Sequence, residues 1–158
     1  MQSYSQRTVL AYIGLQIFLD HPLLGVGWQG SLDEDGYGPQ LAAARARFPD
    51  EPNRTFPSPN HPWGVHTAYI QALSDLGLPG LALLAALLAG ALAIGVRAAL
   101  RAAGQAADAA FVATAWLLLV AGLLNATGLV AGIPLEAMMW LSAGLAVAAA
   151  AEVRRVAA

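Results

Sequence analysis

Four apolar runs punctuate the chain, and their lengths separate them into two kinds. Leu78 to Val96 is uninterrupted by any charge and long enough to cross a hydrocarbon core. Ala109 to Ile133 is a second such run, containing Asn125 and Thr127, and Leu135 to Ala151 is a shorter third with Glu136 just inside its start. The first run, Val9 to Leu19 within a predicted helix over Tyr4 to Asp20, is too short to span and suits a helix lying at a membrane interface or against a bundle. This pattern predicts an all-α, multi-pass transmembrane protein with a long extracytoplasmic loop and short interfacial helices. Residues 1–77 form the helix and loop region, and residues 78–158 form a membrane region of about three spans (78–96, 109–133 and 135–151).

Charge sets the orientation. Arg97, Arg101 and Asp108 lie between the first two spans, and Arg154 and Arg155 follow the third. With three spans, both arginine pairs fall on one side, which the positive-inside rule makes cytoplasmic. Residues 1–77 and a turn at Gly132-Ile133-Pro134 then face outward from the cytoplasmic (inner) membrane. Composition agrees: 58% of residues are hydrophobic and 11% charged, about half the charged share of a soluble domain. The net charge of -2 gives no reason to expect nucleic acid as a partner, and the absence of cysteine excludes disulfides and thiolate chemistry.

Between the first helix and the first span, Pro22 to Trp63 is rich in glycine and proline, with a short helix predicted over Leu41 to Phe48. Trp28, Tyr37, Phe48, Phe56 and Trp63 favour an ordered loop resting at the membrane surface. The stretch His61 to Gly80 reads as a short amphipathic helix running into the first span. Tyr69, Ile70, Leu73 and Leu76 form its apolar face, and Thr67, Gln71, Ser74 and Asp75 the opposite one. His66 falls within the apolar face and is expected to point into protein, where a satisfied core histidine is the plainer reading. Gly80, Leu84 and Leu88 next to Gly90, and Ala143, Val147 and Ala151, offer small-residue faces for helix packing.

Several motifs carry little chemistry. Gly25-Val26-Gly27 lacks the βαβ frame of a nucleotide site, Asn53-Arg54-Thr55 is a chance-level glycosylation sequon, and Arg7 before an apolar run lacks the cleavage site of a signal peptide. His61 and His66 lack metalloprotease spacing, and Asp33, Glu34 and Asp35 read better as a solvated turn than as metal ligands. His21 and His61 read as loop residues, and Gly25 and Gly27 as a sharp exit from the helix.

Taken in order, Arg7, then Asp20-His21-Pro22-Leu23-Leu24-Gly25-Val26-Gly27, then His66 with Tyr69-Ile70-Gln71 and Gly77-Leu78-Pro79-Gly80, resemble the O-antigen ligase and polymerase-like membrane proteins. The resemblance covers roughly residues 7 to 90. Thr67 and Ile70 stand where that family commonly has asparagine and leucine. Family members carry several spans before the loop, so the chain resembles a carboxy-terminal portion. Missing amino-terminal transmembrane helices are then expected partners, and activity of the isolated chain is not expected.

The resemblance implies transfer of a polyprenyl-diphosphate-linked glycan to a lipid or glycan acceptor, by a metal-independent glycosyltransferase without cofactor, in contact with membrane lipids. A guanidinium suits the charge that develops on a departing diphosphate, and an imidazole suits removal of the acceptor hydroxyl's proton. His66 and Arg7 are the catalytic candidates; Arg54, Tyr69 and Gln71 are the substrate-binding ones. A snorkelling Arg7 is the competing reading. Three other functions stay open: a glycan polymerase, a transport module using Asn125, Thr127 and Glu136, and a non-catalytic partner-binding subunit.

Overall fold

The computed structural model describes residues 4–101, 104–123 and 133–156, with only the backbone course for 133–136 and 156. Six α-helices follow in order: α1 (Tyr4–Asp20), α2 (Glu34–Tyr37), α3 (Leu41–Arg47), α4 (Ala68–Arg101), α5 (Gln105–Leu123) and α6 (Ile133–Val156). Short 3-10 turns at Gly30–Leu32, Gly38–Gln40 and Asn53–Thr55 order the long connection, and no strand occurs among the described residues. The chain divides into two compact units whose boundary falls after Ala82, within α4.

In the first unit α1 is the central element. Val9, Ile13 and Ile17 recur at four-residue intervals, so they line one stripe of α1, and all three are buried. Tyr37, Ala44 and Phe56 from the connection close over that stripe, with Tyr12, Val26, Leu41 and Phe48 around the edge. Tyr12 meets Phe48 edge-to-face at 5.5 Å between ring centroids, and Gln40 donates from Nε2 to Asp20 Oδ2 at 2.6 Å. The connection is therefore folded onto α1. Tyr37 and Phe56 are core residues, contrary to the expectation that they rest at a membrane surface, because the connection folds back over the apolar stripe of α1. Trp28 does face outward, at 59% exposed.

α4 is two helices joined at a break. Gly77 has φ 68° and ψ -166°, outside helical space. Pro79 follows at the start of the second segment, where a missing N–H removes no helical hydrogen bond. Upstream, the Gln71 N–H donates to the Thr67 carbonyl at 2.8 Å, which places Thr67 at the helix N-cap. His66 consequently lies in a bend two residues before α4 rather than on it. Its expected helical position is corrected by Thr67, a residue type that starts helices.

The expected polarity of this helix is also reversed. Gln71, Ser74 and Asp75 are 2%, 0% and 0% exposed, while Tyr69, Ile70, Leu73 and Leu76 are only partly buried. A loop docks on the polar face, and loop backbone needs acceptors that apolar side chains lack.

In the second unit, α5 packs along α6 beside the last part of α4. A Cβ at Gly95 would come within 2.1 Å of Thr114 Oγ1 and 3.4 Å of Ala146 Cβ, so the missing side chain allows close approach. Met139, Ser142, Ala146, Ala150 and Val153 form the buried stripe of α6. The packing face predicted through Ala143, Val147 and Ala151 is thus displaced around the helix. Val147 is 41% exposed, and a Cβ at Gly90 would meet nothing within 4 Å. The three helices α4, α5 and α6 are long and apolar enough to cross a membrane. Asn125, Thr127, Gly132 and the side chain of Glu136 lie outside the described residues.

Candidate functional site

The site grows from two glycine-bearing segments that interlock. After α1 the chain turns through His21-Pro22-Leu23-Leu24-Gly25-Val26-Gly27 and lies against the end of the first α4 segment. Val26 N donates to Ser74 O at 3.0 Å, Gly27 N to Asp75 O at 2.8 Å, and Leu78 N to Pro22 O at 2.9 Å. A Cβ on Gly25 would fall 2.4 Å from the Asp75 carbonyl carbon, and one on Gly77 would fall 2.5 Å from Leu23 O. Glycine is required at both positions by contact as well as by a positive φ.

Asp75 completes the joint. Its Oδ2 accepts the Gln29 N–H at 3.1 Å and a Gln71 Nε2 hydrogen at 3.3 Å, and its Oδ1 accepts the Ser31 N–H at 3.1 Å. The carboxylate supplies acceptors to backbone donors that no strand or helix partner satisfies. Sequence reasoning set Asp75 on a polar outer face and missed it. The usable signal was a helix with a buried-size polar face next to a glycine-rich loop.

Arg7 and His66 are related through one face of α1. Gly14 stands seven residues, or two turns, beyond Arg7, so the two share one helix face. A Cβ on Gly14 would lie 2.8 Å from Val65 Cγ2 and 2.9 Å from Ile70 Cγ2. That face of α1 therefore looks toward the segment bearing His66. Burial lowers the His66 pKa below its ordinary 6.5, and the positive charge of Arg7 lowers it further. His66 is partly buried and Arg7 exposed.

The other sequence candidates are placed differently. Arg54 occupies the 3-10 turn Asn53–Thr55 and lines a cleft of about 750 Å³ with Gln6, Thr55, Ser58, His61 and Trp63. His61 stacks on Trp63 at 6.1 Å and bridges to Ser58, an organised cleft wall with no signature in the local sequence pattern. Neither His66 nor Arg7 lines this cleft, although Gln6 adjoins Arg7 along α1. Tyr69 is partly buried in the first turn of α4, and the Gln71 amide is turned to Asp75. His21 fixes the turn through its backbone, donating to Ile17 O at 2.9 Å and accepting from Gly25 N at 3.0 Å. Among the described residues, no three His, Cys, Asp or Glu side chains are grouped to hold a metal ion, so Asp33, Glu34 and Asp35 do not join the histidines.

No curated protein and no solved structure matches the chain at significant similarity. A family model for O-antigen ligase matches residues 2–85, which takes in α1, the interlocked loop, the bend at His66 and the break at Gly77. The match covers more than half of the chain and coincides with the segments that build the site, and on that ground the chain belongs to the O-antigen ligase family.

Proposed function

We propose that this chain carries the catalytic loop of a membrane glycan ligase, which transfers a glycan from a polyprenyl diphosphate carrier to a lipid or glycan acceptor at the outer face of the cytoplasmic membrane. The observation that carries the reading is a partly buried His66 whose proton affinity is lowered by burial and by the charge of Arg7, on the α1 face that looks toward the His66 segment. In the transfer, the acceptor hydroxyl oxygen attacks the anomeric carbon and gives its proton to His66. The bond from that carbon to the diphosphate oxygen breaks, and the diphosphate leaves with the bonding pair. Arg7 faces the charge that accumulates on the departing oxygens, where paired N–H donors are most effective.

A base must be unprotonated to act, and a pKa below 6.5 keeps most of the imidazole neutral near pH 7. Arg54 in the neighbouring cleft supplies a second cation for the diphosphate or sugar, and Tyr69 flanks the base. Gln71 acts on the site through Asp75 and the loop that Asp75 holds. The lipid carrier reaches the site from the bilayer that α4 enters.

The test is made in cells expressing the protein. His66→Ala and Arg7→Ala are expected to leave protein level normal while carrier-linked glycan accumulates and the acceptor stays bare. Undiminished transfer in both variants would remove the assigned roles. If the acceptor instead receives a single repeat unit, the same residues serve a polymerase.

A further inference from the structure

The far end of the second unit carries a basic pocket that the transfer chemistry does not use. Arg97 and Arg101 stand one turn apart on α4, and Arg154 projects from the last turns of α6. All three line one pocket of about 220 Å³ whose floor and wall come from Ala98, Ala150 and Val153. Those small residues belong to the packed cluster joining α4, α5 and α6, so the floor is part of the fold. The pocket is apolar at its base and cationic at its rim.

Ordinary arginines at helix ends snorkel separately toward water or pair with acidic neighbours. Arg155 does the latter, meeting Glu152 Oε2 at 3.0 Å. No described carboxylate pairs with Arg97, Arg101 or Arg154. Arg154 is held instead by its Nε, which donates to Ala150 O at 3.4 Å. Three like charges around one concavity repel each other unless an anion is placed among them.

We propose that the pocket lined by Arg97, Arg101 and Arg154 binds the phosphate of an anionic phospholipid, with the lipid chains lying along the exposed apolar surface of α4. The required ligand chemistry is a phosphate oxyanion next to hydrocarbon. Free phosphate satisfies only the first half, whereas Ile94, a wall residue of the pocket at 39% exposed, and Leu87, at 57% exposed, continue the apolar path along α4. Basic pockets between transmembrane helices recognise acidic headgroups in this way. The naming of the lipid's leaflet as cytoplasmic rests on the orientation given under the proposed function, whereas the binding itself does not.

Native mass spectrometry of the full chain tests the proposal. Protein released from nanodiscs of phosphatidylcholine with added phosphatidylglycerol is expected to retain phosphatidylglycerol selectively. Each of Arg97→Gln, Arg101→Gln and Arg154→Gln is expected to weaken that retention roughly fivefold. Arg155→Gln, which alters the same helix end outside the pocket, is expected to leave it unchanged and controls for loss of fold. Equal retention of both lipids would overturn the proposal, as would an equal loss in Arg155→Gln. Displacement of the lipid by millimolar inorganic phosphate would overturn it in favour of a soluble anion.

Discussion

At the scale of single residues, the pairing of Arg7 with His66 has a measurable sign. Burial is the larger cause of the lowered His66 pKa and Arg7 the smaller. Proton NMR of ring-labelled protein is therefore expected to find His66 titrating below 6.5. Arg7→Gln should raise that value while leaving it below 6.5, because the burial is untouched. A value at or above 6.5 in the unaltered protein would remove the uncharged base from the mechanism. The same shift links to stability. The unfolded chain takes up this proton more readily than the folded one, so folding is undisturbed above pH 6.5 and weakens as pH falls from there through the folded pKa. Thermal unfolding followed by circular dichroism should show the melting temperature falling below pH 6.5, and His66→Ala should flatten that part of the profile. If the transfer rate follows the base, its acidic limb lies below 6.5.

At the scale of elements, the joint between the loop after α1 and the broken start of α4 fixes the end of the first α4 segment. Asp75→Ala leaves the Gln29 and Ser31 N–H groups without their acceptor, and at about 1–3 kcal/mol for each buried donor the variant should lose roughly 3 kcal/mol. Asp75→Asn retains one carboxamide oxygen and should lose about half as much. Gly25 and Gly27 separate two effects. Both have positive φ, but a Cβ on Gly25 strikes Asp75 backbone whereas one on Gly27 meets open space. Gly25→Ala should therefore destabilise by more than Gly27→Ala, whose cost is about 1–3 kcal/mol of backbone strain. Denaturant unfolding ranks the four variants, and equal costs at the two glycines would refute the close contact. What could be read from sequence follows the same division. The span of α1, the helix over Leu41–Arg47 and the apolar length of α4 follow from local periodicity, and all three were legible. The burial of Gln71, Ser74 and Asp75 depends on a loop some forty residues earlier in the chain, so periodicity assigned that face to water. The pairing of Arg7 with His66 as candidates rests on resemblance, since no local pattern relates α1 to the bend before α4.

At the scale of the whole molecule, the remaining question is which side of the bilayer each end of the bundle occupies. α4, α5 and α6 are long and apolar enough to cross, and α4 beyond Gly77 runs about 35 Å at 1.5 Å per residue, a little more than a hydrocarbon core. Arg97, Arg101, Arg154 and Arg155 all follow the apolar stretches of α4 and α6, and moving them across a membrane opposes the rule that governs insertion. At the other end of α4, Leu78 is 57% exposed, and Leu23 and Leu24, brought beside it by the Leu78 N–H to Pro22 carbonyl bond, are 72% and 81% exposed. Apolar side chains clustered where the apolar stretch of α4 begins suit the hydrocarbon boundary. Reporter fusions after Arg101 and after Arg155 are both expected to report cytoplasm. The chain has no cysteine, so Asp35→Cys and Asn60→Cys each introduce a unique thiol at an exposed site. A membrane-impermeant maleimide should label both in spheroplasts without lysis. Labelling that requires permeabilised membranes would put His66 on the cytoplasmic side, away from any carrier-linked glycan presented outside, and the ligase reading would fall with it.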